Sequence, residues 1–244
     1  MMLAIELSER TRKWANQDMS ENLFGTAAPL SLRTSAGVAD IIRREILAGT
    51  LKPNQPLMER NIAQELGVSR TPVREALFAL QGEGLVELVP RKYARVRKVS
   101  YTDISQIYSL RLVLESHAAE AAAQFADDQA ILDIETAFIR QKNLSKTCTA
   151  IEQTDADLAF HAAIAAASGS KILVTVTHQV LAFTAALRSR VKYDAAQTRT
   201  ALAQHKAVLG AIKAREPENA ARLMAEHIQA STEYAKKNAV LVES

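Results

Sequence analysis

Cysteine, glycine and proline are all scarce in these 244 residues. The single cysteine, Cys148, excludes an intramolecular disulfide and suits a reducing compartment. With 8 Gly and 6 Pro there is little room for low-complexity sequence or for a fold built on many tight turns. Neither a signal-peptide pattern nor an apolar run of about 20 residues is present, so the expectation is a cytoplasmic protein with no membrane partner.

What remains is mostly helix-forming sequence, long enough for two domains with separate cores. The net charge of +3 is unevenly placed. Residues 34–100 hold 11 Lys/Arg against 7 Asp/Glu, whereas the rest of the chain holds 19 against 20. The basic excess falls where phosphate contacts would need it.

Residues 58–81, MERNIAQELGVSRTPVREALFALQ, carry the clearest pattern. Ile62, Ala63 and Leu66 form an apolar edge, and Gly67 is placed to end a helix in a left-handed cap. Ser69 or Thr71 then serves as N-cap, with Pro72 tolerated in the first turn. Val73, Ala76, Leu77 and Leu80 make one buried stripe, leaving Arg70, Thr71 and Arg74 off it near the helix start. This is what a helix-turn-helix presents to the major groove, the alternative being an ordinary helix hairpin kept wet by its arginines.

Residues 1–33 lack a clear period and are expected to form a loose arm, with Arg10, Arg12 and Lys13 assigned no role. A helix is expected over 35–48, and Lys52 to Pro56 reads as a rigid turn. After Gly82 the period becomes that of a hairpin, with strands at 85–89 and 94–99 around a turn at 90–93. Three helices followed by a hairpin make a winged helix-turn-helix domain over 34–100. Arg91, Lys92, Arg95, Arg97 and Lys98 place positive charge on and beside the wing.

Residues 101–244 read as an all-helical domain, an antiparallel bundle of six helices at about 103–125, 128–146, 150–168, 171–193, 197–214 and 217–238. The fold class is therefore mainly α. Polar residues on apolar stripes are the informative ones, because a buried charge or imidazole needs a partner. Arg111 lies among Ile104, Ile107, Tyr108, Leu114 and Ala118, and its anion is either Glu115 one turn away or a bound carboxylate.

Asp157 and His161 share one face of the third bundle helix, while His205 and His227 fall on the stripes of the last two. His205 lies 11 positions before Glu216 and His227 lies 11 after, so antiparallel packing sets the two imidazoles at one height. Three imidazoles and a carboxylate suit zinc, nickel or manganese, the alternative being core histidines satisfied by hydrogen bonds. His178 falls opposite the stripe of Leu173, Val176, Val180, Phe183 and Leu187, and His117 on a flank.

The order Leu47-Ala48-Gly49, Leu51-Lys52-Pro53, Ser69 through Leu77 and Gly84-Leu85-Val86 resembles the N-terminal domain of GntR-family bacterial transcription regulators. Asp157 through His161, Gln204-His205 and Glu216 to His227 resemble the effector domain of its FadR-type branch, six helices being similar to the VanR-like subgroup. The resemblance implies operator contacts by Arg60, Arg70 and Arg74, assisted by Thr71, and a divalent metal on Asp157, His161, His205 and His227 over which small organic acids dock. Two departures stand out: the wing turn Arg91-Lys92-Tyr93 has no glycine, and Ser170 stands where asparagine is common.

The leading expectation is a homodimeric, ligand-responsive repressor that binds a palindromic double-stranded operator and a small carboxylate effector. The alternatives are a metal-dependent hydrolase, using a metal-bound hydroxide, and an architectural DNA-binding protein with an inert dimerisation bundle.

Overall fold

The computed structural model describes residues 34–89, 93–98, 100–144, 148–188 and 194–238. The expected arm at 1–33 and the wing-turn residues 90–92, Arg91 among them, lie outside the described residues. Helix α1 (Ser35–Ala48) starts behind Thr34, whose side chain accepts from the Gly37 N–H. Strand β1 (Pro56–Leu57) follows, then α2 (Glu59–Leu66) and α3 (Arg70–Gly82).

Gly67 joins α2 to α3 with φ +64, and the Val68 N–H returns to the Ala63 carbonyl at 3.0 Å. A left-handed residue satisfies the last carbonyls of α2 and turns the chain at once into α3, which sets the helix-turn-helix angle. Ser69 is the N-cap of α3 without a side-chain capping bond. The α3 stripe is as expected, with Val73, Ala76, Leu77 and Leu80 buried against Ile42, Ile46, Ile62 and Leu66.

Strands β2 (Val86–Val89) and β3 (Tyr93–Val96) pair antiparallel, with Val86 opposite Val96 and Val89 opposite Tyr93. β3 also pairs with β1, so the sheet order is β1-β3-β2. The second expected strand is thus shorter than 94–99 and begins at Tyr93. Pro56 and Leu57, read from sequence as turn and helix approach, form the third strand because β3 has a free edge beside them.

Six further helices follow: α4 (Tyr101–Phe125), α5 (Asp128–Lys142), α6 (Ala150–Ala167), α7 (Lys171–Arg188), α8 (Ala195–Lys213) and α9 (Pro217–Asn238). Capping boxes at Ser100/Asp103 and Thr149/Glu152 start α4 and α6, each joining two orphan N–H groups to side chains. α5 ends at Lys142 rather than 146, with Asn143 as its C-cap. Ser170 still accepts from the Leu173 N–H at 3.2 Å, so its hydroxyl fills the capping role expected of asparagine.

A second hydrophobic cluster, from Ile104, Phe160, Ile164, Val208, Ile212, Met224 and Ile228, fills the bundle. The α7 stripe differs from expectation. Val176 is 40% exposed, and Thr177, Leu181 and Thr184 are buried with Leu173, Val180 and Leu187.

The two cores meet at α7. Ala186 belongs to the winged-helix cluster, and the Phe183 ring lies against Gly84, the residue two positions past α3. Gly84 has φ +73, and a Cβ there would sit 1.8 Å from Phe183 Cε1. Arg97, just past β3, stacks on the same ring at 5.5 Å and pairs with Asp103 in the first turn of α4 at 3.0 Å. Expected to charge the wing, Arg97 instead faces the helical unit.

Candidate nucleic-acid interface and metal centre

The start of α3 is exposed at Arg70, Thr71 and Arg74, and Arg60 is exposed on α2. The two α3 arginines converge on one acid. Arg74 donates through Nε and Nη2 to the two oxygens of Glu59 at 2.8 and 2.9 Å, and Arg70 Nη2 donates to Oε2 at 2.9 Å. These bonds, Arg74 first, lower the Glu59 carboxyl to about 2, against the opposing effect of partial burial. Sequence spacing missed Glu59, since its partners lie 11 and 15 residues downstream. On the sheet, Arg95 is paired with Glu87 opposite it at 3.0 Å.

In the bundle, α6, α8 and α9 bring His161, His205 and His227 together, each at most 2% exposed, with one ring nitrogen from each within 4.8 Å of the others. The hairpin geometry read from sequence holds: His205 Nε2 lies 3.2 Å from His227 Nε2. Asp157 joins from α6, with Oδ2 at 3.7 Å from His161 Nε2 and Oδ1 at 4.0 Å from His205 Nε2. All four sequence-predicted ligands therefore meet.

Each imidazole is oriented through its other nitrogen. His205 Nδ1 faces Gln141 Oε1 at 2.8 Å, His227 Nδ1 faces Gln204 Oε1 at 2.9 Å, and His161 Nδ1 lies 2.5 Å from Glu115 Oε2. Gln141 in turn donates Nε2–H to Asp157 Oδ1 at 2.9 Å. A carboxylate only accepts, so Asp157 fixes the Gln141 amide, which turns its oxygen to His205 and places that ring's proton on Nδ1. Behind the other two rings stand the Gln204 amide oxygen and the Glu115 carboxylate, which as acceptors favour a proton on the Nδ1 that each faces.

Burial pushes His205 down to about 3, outweighing Asp157, and carries His227 well below its ordinary value, so both are neutral near pH 7. The Nε2 atoms of His205 and His227 stand 3.2 Å apart, and neither ring nitrogen of His161 makes a well-directed hydrogen bond among the described residues, although its Nδ1 lies close to Glu115. Buried lone pairs aimed at one point fit a divalent cation.

Two guanidinium groups complete the site. Arg111, at 2% exposure, donates from Nε to Glu115 Oε1 at 2.6 Å and lies 5.2 Å from the Tyr108 ring. Of the two anions open to Arg111, Glu115 is the one it holds here. Burial opposes ionisation of Glu115, yet Arg111 and then His161 lower it to about 2. Arg188, at the end of α7, pairs with Asp157. Burial alone would raise Asp157, but Arg188, His205 and His161 hold it below the usual carboxylate range.

Arg188 becomes legible only once the buried face of α7 is known to run through Thr177, Leu181 and Thr184, whose spacing it continues. Gln141 and Gln204 were not legible, because their partners come from other helices. His117 and His178 are exposed, as the stripes imply. A surface groove of about 590 Å³ runs between α4 and α9, lined by Tyr108, Ser109, Glu226 and Lys236 among others, and the imidazoles do not line it.

Comparison with known proteins agrees with both halves. The chain is 30% identical over 215 residues to the Glc operon transcriptional activator of Escherichia coli, covering 79% of this chain and 85% of that protein. It is 31% identical over 116 residues to the uncharacterized HTH-type transcriptional regulator YdhC of Bacillus subtilis, spanning 49% of that protein. The solved structure of E. coli McbR/YncC shares the fold, with a TM-score of 0.69 at 24% identity over 86% of this chain and 99% of that one. The model for bacterial regulatory proteins of the gntR family matches residues 34–96, and the FCD domain model matches 106–230. The chain therefore belongs to the GntR family of DNA-binding transcriptional regulators, with an FCD domain following its winged helix.

Proposed function

We propose that this regulator is a cytoplasmic repressor whose operator affinity is set by a small organic acid bound beside a divalent metal in the FCD domain. The observation that carries the reading is the convergence of the His161, His205 and His227 ring nitrogens on one point beside Asp157. Zinc, nickel or manganese suits this donor set, with a coordination position left for a carboxylate. Arg188 and Arg111 supply guanidinium forks that match a second carboxylate oxygen or a neighbouring anion.

Arg60, Arg70, Thr71 and Arg74 are the DNA-reading residues in this proposal, with Arg91 on the wing. One winged helix covers too little DNA for tight specific binding, so a homodimer on a palindromic operator is the working assembly. The chain divides near residue 100 into these two units, and the six-helix bundle supports the VanR-like subgroup.

The site is closed, with imidazoles at most 2% exposed. An acid can enter only by favouring a state in which the bundle opens, and that differential affinity is what couples it to DNA. The regulatory reading is favoured over hydrolysis because both carboxylates touching the imidazoles, Asp157 and Glu115, are held by guanidinium groups instead of standing free as bases.

The test begins by enriching a binding sequence from a random DNA library with the purified protein. Its affinity is then measured across a panel of carboxylates on metal-loaded and chelated protein. An inverted repeat, released about tenfold or more by one acid class only when metal is present, is the expected result. One affinity and one salt slope across the whole panel would overturn the coupling.

A further inference from the structure

Glu59 is the residue whose position the DNA-reading argument leaves unused. It stands in the first turn of α2, where its charge suits the helix dipole, yet its carboxylate is spent on α3. Both of its oxygens are engaged by Arg74 and one of them also by Arg70. Its own side chain is 24% exposed, while those of Arg70 and Arg74 are 64% and 57% exposed. The arginines are therefore anchored at their inner edge and open at their outer edge.

That geometry has two consequences. Arg74 is bound side-on through Nε and Nη2, which leaves Nη1 and the second Nη2 hydrogen as an end-on pair facing outward. An end-on pair of N–H groups is what guanine O6 and N7 accept in the major groove. The guanidinium plane is thus set before DNA arrives, and less side-chain freedom is lost on contact. In addition, one negative charge sits against two positive ones, so the start of α3 presents about one net charge to any phosphate instead of two.

We propose that Glu59 is a specificity-determining residue: it orients Arg70 and Arg74 for base edges and holds down sequence-independent attraction to the DNA backbone. This rests on the reading that these arginines contact DNA. Glu59 does not itself touch the base and acts through the two guanidinium groups.

The experiment compares the wild type with Glu59→Ala, Glu59→Gln, Glu59→Asp, Glu75→Gln and the double variant Arg70→Gln/Arg74→Gln on two probes. One is a duplex of random sequence, the other the duplex that the wild type enriches from a random library, each titrated over a salt series. Glu75 is exposed on α3, the helix that carries the two arginines, and serves as a control for charge alone. Circular dichroism melts confirm that each variant is folded.

For Glu59→Ala we expect about threefold or greater tightening on the random duplex, with a salt slope steeper by about one. The ratio of specific to random affinity should fall about tenfold, while Glu59→Asp keeps part of it and Glu75→Gln leaves it near the wild-type value. An unchanged or weaker affinity of Glu59→Ala for the random duplex overturns the proposal, as does an unchanged ratio or an equal fall for Glu75→Gln. If Arg70→Gln/Arg74→Gln binds both probes like the wild type, the arginine reading itself fails and takes the role of Glu59 with it. Weak binding by that double variant alongside a silent Glu59→Ala removes only Glu59.

Discussion

Nε2 of His205 and Nε2 of His227 face each other at 3.2 Å across the α8–α9 hairpin, each ring pinned from behind by a glutamine oxygen. Neutral imidazoles that donate through Nδ1 turn their Nε2 lone pairs toward the space between them, the position a divalent cation would take. Added Zn²⁺ or Ni²⁺ should raise the melting temperature of chelated protein, with about 2.7 kcal/mol expected at a hundredfold excess over Kd. His205→Ala and His227→Ala should lose that response. Differential scanning fluorimetry with and without chelator decides it, and equal stabilisation of the alanine variants would count against the site.

Arg111→Ala should be strongly destabilising whatever its part in ligand binding. Among the described residues it leaves the Glu115 carboxylate, at 2% exposure, with His161 as its one remaining ion-pair partner. Breaking a buried pair from one side costs about 3–5 kcal/mol. Urea unfolding measures the loss, and a cost below about 1 kcal/mol would show that the pair is not buried in solution. Ligand screens are therefore better made with Arg188→Lys, which keeps a cation next to Asp157.

Gly84→Ala tests the seam between the two cores. The residue has φ +73, and the added methyl would meet Phe183 Cε1 at 1.8 Å. Strain from the backbone and from overpacking together should cost about 2 kcal/mol or more. In a double-mutant cycle with Phe183→Ala, the two costs should combine to less than their sum, because removing the ring opens the space the methyl needs. Strict additivity would place the two residues out of contact.

Glu59 offers a pH test whose sign follows from its lowered carboxyl. A ¹³C titration of its side chain should give a midpoint at about 2, moving toward 4.5 in Arg74→Ala. The folded value lies below the unfolded one. Its contribution to stability is therefore complete above the unfolded value of 4.5 and is lost as pH falls toward about 2. The carboxylate is partly exposed, so that contribution should be at most about 1 kcal/mol. A midpoint near 4.5 in the wild type would mean that the arginines do not hold it.

The helices and the meeting of the four expected ligand residues were legible because burial imposes a 3.6-residue period, and a hairpin about Glu216 turns equal spacing into equal height. Strand β1 was not, since two residues carry no period and its pairing is decided by β3. Arg97 was misread because charge alone does not say which way a side chain turns, and its partners Asp103 and Phe183 come from outside the sheet. For Arg111 the spacing offered two anions, and only packing chose Glu115. The amides behind His205 and His227 were equally hidden, because Gln141 is matched to Asp157 and His205 by three-dimensional proximity.

The last turn of α7 belongs to both halves of the molecule. Ala186 is embedded in the winged-helix core, and Arg188, two residues on, grips Asp157 beside the imidazoles. Along a helix axis that separation is about 3 Å. The turn that holds this guanidinium beside Asp157 thus also seats a methyl group in the winged-helix core, so a shift of that turn's backbone is felt on both sides of the seam at once.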